Sequence, residues 1–387
     1  MRKIVLSALC AGMIGLSGCA NAQTSTADPG PVTAGTRTAS ERKIQVALLL
    51  DTSNSMDGLI EQAKSRLWNI VNTLTTLKYE GKSPQIEIAL YEYGNDGLES
   101  ADNYIRRVVP LSTDLDLISE KLFALRTNGG SEYCGAVISR SMKDLEWSRD
   151  EKDMKLIYIA GNEPFSQGPV NYKEICKEAV KKNIYINTIY CGGKDQGITD
   201  LWQDGAVNGE GKYFNIDANR QVLYVVTPYD VRINELNIKL NGTYIGYGSL
   251  GQAKKENQVM QDQNAQKVAA ANMVERTVSK GSSAYKNDDW DLVDAEKNGR
   301  VKVEEMKESE LPAELKGKSA EERKKYVEAK SREREEIQKE IAELGRKRQA
   351  YIDEEMKKQG NTDDLGAAIT TSVMEFAGKK GYKASNS

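Results

Sequence analysis

Ile44-Gln45-Val46-Ala47-Leu48-Leu49-Leu50-Asp51-Thr52-Ser53-Asn54-Ser55-Met56 is the stretch from which the fold is read. It is an almost unbroken apolar run that stops at an aspartate. Such a run suits a central parallel strand covered on both faces, because a half-exposed strand would alternate apolar and polar residues. A helix follows at once from about Asp57. Its apolar positions Ile60, Ala63, Leu67, Ile70, Leu74 and Leu77 recur at three- and four-residue spacing. A buried strand running straight into a helix is the first half of a strand–helix–strand unit.

The same alternation continues outward. Residues 85–93 form a second strand started by Pro84, and residues 104–109 a third, paired with it as an edge hairpin. A helix over 115–125 has Asp114 as its N-cap. A loop over 126–134 leads into a helix ending near Trp147. Strands at 156–160, 184–190 and 212–216 are separated by helices at 172–182 and 198–207. Strands alternating with helices predict an α/β fold with a doubly wound, mostly parallel sheet, and ligands in such sheets sit beyond the carboxyl ends of the strands. Asp51, the 126–134 loop and residues 161–164 therefore share one rim.

The segment Leu48-Leu-Leu-Asp51-Thr-Ser53-Asn-Ser55-Met56 resembles the first motif of the metal-ion-dependent adhesion site (MIDAS) of von Willebrand factor A (vWA) domains. The resemblance covers residues 43–217. It implies a doubly wound sheet whose rim holds a divalent cation, Mg²⁺ or Mn²⁺, by oxygen donors. Asp51, Ser53 and Ser55 stand at the first loop's ligand positions. Ser131, in Gly129-Gly130-Ser131, aligns with a threonine of the second loop, and Thr127 is a fallback. In the third loop Gly161 stands where the family carries an aspartate, so one carboxylate is missing unless Asn162 or Glu163 reaches in. Without a metal, Asp51 and the serines would only cap the first helix. The phrases DTSNSMDGLI, GGSEYCG, AGNEPFSQG and NTIYCGG are also similar to a group of bacterial vWA proteins of no settled activity.

The chain has 387 residues and no histidine, which removes imidazole acid–base and Ser-His-Asp chemistry and histidine zinc sites. Its net charge of −3 gives no reason to expect a nucleic-acid partner. Arg2-Lys3, the apolar stretch 4–16 and Leu16-Ser17-Gly18-Cys19 have the form of a lipoprotein signal over 1–19, with Cys19 lipidated. Ala20-Asn21-Ala22 is a rival cleavage site. The residue after Cys19 is not aspartate, which favours the outer membrane, facing the periplasm, as the resting place. Residues 20–42, rich in Thr, Ala, Ser, Gly and Pro, form a flexible tether. Cys134, Cys176 and Cys191 are either one disulfide plus a thiol or three buried thiols, and their spacing matches no zinc pattern.

Beyond residue 217 the composition turns polar. Residues 218–280 form a helical extension and 281–318 an irregular connection whose acidic patch Asp289-Trp290-Asp291-Leu-Val-Asp294 is a solvated turn. Residues 319–387 hold a long charged helix and a terminal helix. The long helix carries 12 Lys/Arg and 11 Asp/Glu over 319–358, with a thin seam of Val327, Ile337, Ile341, Leu344 and Tyr351. That makes it a helical arm or hairpin leg in preference to a stable coiled coil.

The expectation is a non-enzymatic, membrane-anchored envelope protein whose vWA rim binds a protein partner through the metal. The alternative is a metal-free scaffold acting through its helical arm. A hydrolase using Mg²⁺ and Glu163 as base has few carboxylates to work with.

Overall fold

The computed structural model describes residues 42–220, 222–359 and 365–385. The signal, Cys19 and most of the tether lie outside the described residues. The apolar run forms β1 (Lys43–Asp51), in which every side chain from Ile44 to Asp51 is buried. It is followed by α1 (Asp57–Thr75), a short β2 (Leu77–Tyr79), β3 (Gln85–Tyr93), β4 (Ile105–Ser112), α2 (Leu115–Ala124) and α3 (Cys134–Asp144). Then come β5 (Met154–Gly161), α4 (Tyr172–Lys181), β6 (Ile184–Cys191), α5 (Lys194–Thr199), α6 (Trp202–Asn208) and β7 (Glu210–Ile216). The six-stranded sheet runs β4-β3-β1-β5-β6-β7, with β1 parallel to both neighbours and only β4 antiparallel. Asp114 caps α2 as expected, accepting from the Leu117 N–H at 2.9 Å. The single helix expected over 198–207 is two, because Leu201 takes a left-handed φ of 69° between them.

Successive side chains of a strand point to opposite faces. Ile44, Val46, Leu48 and Leu50 therefore join α1 and α2 in one core, while Ala47 and Leu49 join α3, α4 and Trp202 in the other. The first face is completed by the end of the chain. α7 (Asp230–Asn241), α8 (Gly251–Val268), α9 (Ala270–Lys280), α10 (Leu292–Lys297) and α11 (Ala320–Gln359) precede α12 (Leu365–Lys380) and β8 (Tyr382–Ala384). Leu365 and Ile369 of α12 lie against Leu48, Leu50, Tyr158, Ala160 and Ile189 of the sheet. Ser372 meets the Tyr158 hydroxyl at 2.8 Å and donates to Asn187 at 2.9 Å. β8 pairs antiparallel with β2, and the Tyr382 hydroxyl donates to the Lys43 carbonyl at 3.0 Å.

α8 and α9 pack on α2 and α1, making a further helical layer, and α11 lies along α7, α9 and α10. Buried ion pairs join these layers. Arg276, fully buried over the Trp68 ring, donates to Asp116 of α2 at 2.7 Å and to Asp262 of α8 at 2.6 Å. Burial opposes ionisation of Asp262, but Lys280 and Arg276 outweigh it and hold the carboxyl well below the usual range.

The acidic patch read as a solvated turn is interior at Asp291, half-buried at Asp294 and exposed only at Asp289. Asp291 is fully buried and accepts from Arg334 of α11 at 2.6 Å, while the Arg334 guanidinium lies 4.0 Å from the Tyr244 ring centre. Arg334 and Arg348, which interrupt the apolar seam in sequence, are the residues α11 buries, Arg348 against Asp230 at 3.0 Å. The helix docks through charge as well as through Val327, Ile337 and Ile341. Among the described residues, Cys134, Cys176 and Cys191 are all free thiols.

Candidate functional site

β1 ends in the middle of the sheet, so Asp51 emerges at its carboxyl rim between β3 and β5. Its side chain is fully buried. Oδ1 accepts the Ser53 N–H at 2.7 Å; Oδ2 is buried and has no hydrogen-bond partner. The Ser53 and Ser55 hydroxyls lie 3.2 Å apart, and the Asn162 amide is 3.2 Å from Ser55 Oγ. None of these side chains caps the first helix: neither the short helical turn at Asn54–Met56 nor α1 has a side-chain cap. Asp51 instead holds the turn by accepting the Ser53 N–H, and the Ser53, Ser55 and Asn162 side chains face one another across the rim.

The second loop is held against the strand ends by main-chain bonds. Asn128 N–H donates to the Thr52 carbonyl at 2.9 Å, and Asp96 N–H donates to the Gly129 carbonyl. The approach requires glycine on both sides: a Cβ on Gly130 would sit 2.4 Å from the Gly94 oxygen. It brings Glu132, 5% exposed, onto Asp51. A Cβ on Gly94 would lie 2.6 Å from Glu132 Cγ and 2.9 Å from Asp51 Oδ1, so both side chains pack on this glycine, and the two carboxyls are within hydrogen-bonding reach of each other. Glu132 Oε2 is also buried with no partner. Burial, followed by contact with Glu132, pushes the Asp51 carboxyl well up, and burial raises Glu132.

Sequence reasoning missed Glu132. Its signal was present in Gly129-Gly130-Ser131-Glu132, a carboxylate next to the expected hydroxyl. Ser131 is half-buried on the same loop. Thr127 is committed elsewhere, donating to Asp57 at the start of α1. Glu163 is exposed; its carbonyl accepts from Trp202 Nε1 at 2.8 Å, and its charge acts on Glu132. Gly161 has no room for a side chain, since a Cβ would come within 2.6 Å of the Tyr93 hydroxyl and 3.1 Å of Asp51 Oδ2. That hydroxyl is anchored by donating to the Ala160 carbonyl at 3.0 Å. Tyr91, Tyr93 and Tyr190 are sheet packing, all buried.

The donor set is oxygen throughout: two carboxylates, serine hydroxyls and an amide. The nearby Cys134 and Cys191 thiols are pushed up by burial, and among the described residues no three His, Cys, Asp or Glu side chains converge. Two buried carboxylates, each with an unpaired oxygen, fit a hard divalent cation.

A central parallel strand flanked by crossovers on both sides, one antiparallel edge, and Asp-x-Ser-x-Ser at its carboxyl end are now all in place. This is a vWA-like α/β fold. No family model matches the chain, and no curated protein matches it. Among solved structures it is similar to the BatB protein of Bacteroides thetaiotaomicron, at 16% identity over 45% of this chain and 90% of that one, with a TM-score of 0.35. It is similar to the SpRpn10 VWA domain, at 14% identity over 47% of this chain and 99% of that one, TM-score 0.34. A third is the mussel byssus proximal thread matrix protein 1 with a zinc-occupied MIDAS motif, at 12% identity over 45% and 41% of the two chains, TM-score 0.34. The vWA-like reading rests on strand order and on the turn after β1.

Proposed function

We propose that this chain is a non-enzymatic binding protein of the bacterial envelope. Its vWA-like rim holds Mg²⁺ or Mn²⁺ through Asp51, Ser53 and Ser55, with Ser131, Asn162 and Glu163 around them, and docks a protein partner there. The observation that carries this reading is the Asp51 carboxylate, fully buried beneath two serine hydroxyls with Oδ2 unpaired. A buried carboxylate oxygen without a partner is costly, and a cation removes the cost. Beside the rim, α1, α2, α8 and Ala218, Arg220, Val222 and Tyr224 line an open cleft of about 1210 Å³, bordered by Asp57 and Thr127. Its walls mix Lys64, Glu120, Arg126 and Lys267 with Phe123 and Tyr224, a surface suited to a polypeptide.

No helix among the described residues is long and apolar enough to cross a membrane. Attachment is assigned to a lipid on Cys19, leaving the domain on the periplasmic side of the outer membrane. In the alternative reading, a metal-free scaffold acting through its helical arm, that arm is α11, which Arg334 and Arg348 fasten on one face.

The test is thermal unfolding of residues 24–387 in EDTA, Mg²⁺ and Mn²⁺. A cation at 100 times its dissociation constant should stabilise by about 2.7 kcal/mol. The shift should vanish in Asp51→Ala; no shift in the parent at millimolar metal sinks the proposal. In the full chain, Cys19→Ala should move the protein from the membrane to the soluble fraction.

A further inference from the structure

Buried carboxylates in this molecule follow one pattern with one exception. Among the described residues, every buried Asp or Glu except Asp51 and Glu132 lies within 3.8 Å of a lysine or arginine nitrogen. Arg276 serves Asp116 and Asp262, Arg334 serves Asp291, and Arg348 serves Asp230 and Glu275. The rim pair has itself, the Ser53 donors, the Glu163 N–H and the further negative charge of the Glu163 side chain; none of the groups acting most strongly on either is a cation. Each of the two keeps one buried oxygen unpaired. Asp51 is fully buried and Glu132 is 5% exposed, so neither can rely on solvent to balance its charge as a surface carboxylate does.

We propose that Glu132 is a direct carboxylate ligand of the cation, and that it supplies the second negative charge for which position 161 has no space. This rests on the cation reading above and adds a residue to it. Glu132 is held for the task by main-chain geometry: Gly94 and Gly130 let the loop close, and the Glu163 N–H faces its carboxylate. With Asp51 it balances the charge of a dication inside the protein. The cation is thus neutralised before any partner arrives, and the partner class this favours is one presenting a neutral oxygen, an amide or hydroxyl, in preference to a carboxylate.

The experiment is Mn²⁺ binding to residues 24–387, followed by calorimetry and by the electron paramagnetic resonance of free Mn²⁺, in the parent, Glu132→Gln and Asp96→Asn. Asp96 is an exposed carboxylate on the same rim and controls for general charge. Glu132→Gln should weaken Mn²⁺ at least tenfold, while Asp96→Asn stays within about threefold. In EDTA, Glu132→Gln should melt at or above the parent temperature, because it relieves a contact between like groups; that measurement separates lost ligation from lost folding. If the parent binds no Mn²⁺, the cation reading fails as a whole. If the parent binds and Glu132→Gln binds equally well, only the role of Glu132 fails.

Discussion

At the scale of single residues, the site is a problem of space. The aspartate expected at position 161 has no room, because the Tyr93 hydroxyl fills it. Gly161→Asp should therefore not improve the site. It should destabilise the protein by about 1–3 kcal/mol through overpacking, measured by urea unfolding, and Tyr93→Phe in the same chain should recover part of the loss. A variant as stable as the parent would mean that the Tyr93 hydroxyl does not block the position. Asp51, Ser53 and Ser55 were legible in sequence because Asp-x-Ser-x-Ser is a local pattern set by one turn. Glu132 was legible only as a carboxylate beside Ser131; its approach to Asp51 was not, because that depends on two glycines in different loops, Gly94 and Gly130, meeting backbone to backbone.

At the scale of elements, the apolar strands and α1 could be read directly, since periodicity reports burial when burial is apolar. The long helix defeated that logic. Arg334 and Arg348 break the seam in sequence, yet they are buried beside its apolar residues Val327 and Ile341. The acidic patch at 289–294 misled in the same way: Asp291 looks like solvent-facing charge until Arg334, 43 residues away, is placed beside it. A charge pattern in sequence carries no mark of a distant partner. Arg334→Met keeps the stem's apolar packing but strands Asp291 in the interior. It should cost about 3–5 kcal/mol, read as a lower urea midpoint with near-native far-ultraviolet dichroism. A loss under about 1 kcal/mol would show that the pair contributes little to docking α11.

At the scale of the whole molecule, the expected boundary at residue 217 does not end the sheet's packing. α12 covers Leu48, Leu50, Tyr158 and Ile189. Burying Leu365, Ile369, Val373 and Phe376 at roughly 1.5–3 kcal/mol each is comparable with the net stability of a typical domain, about 5–15 kcal/mol. A chain ending at residue 359 should therefore lose cooperative unfolding and near-ultraviolet dichroism; a truncated chain unfolding at the parent's midpoint would refute this. The final strand touches the start of the first, Tyr382 against Lys43, across a separation of 339 residues. Contacts so far apart in sequence form late. A nascent chain emerging from the ribosome would hold its central strands with one side uncovered until its last helix appeared. Until α12 docks, Leu48, Leu50, Tyr158 and Ile189 lack part of their cover, so completion of the sheet's first face waits for that helix.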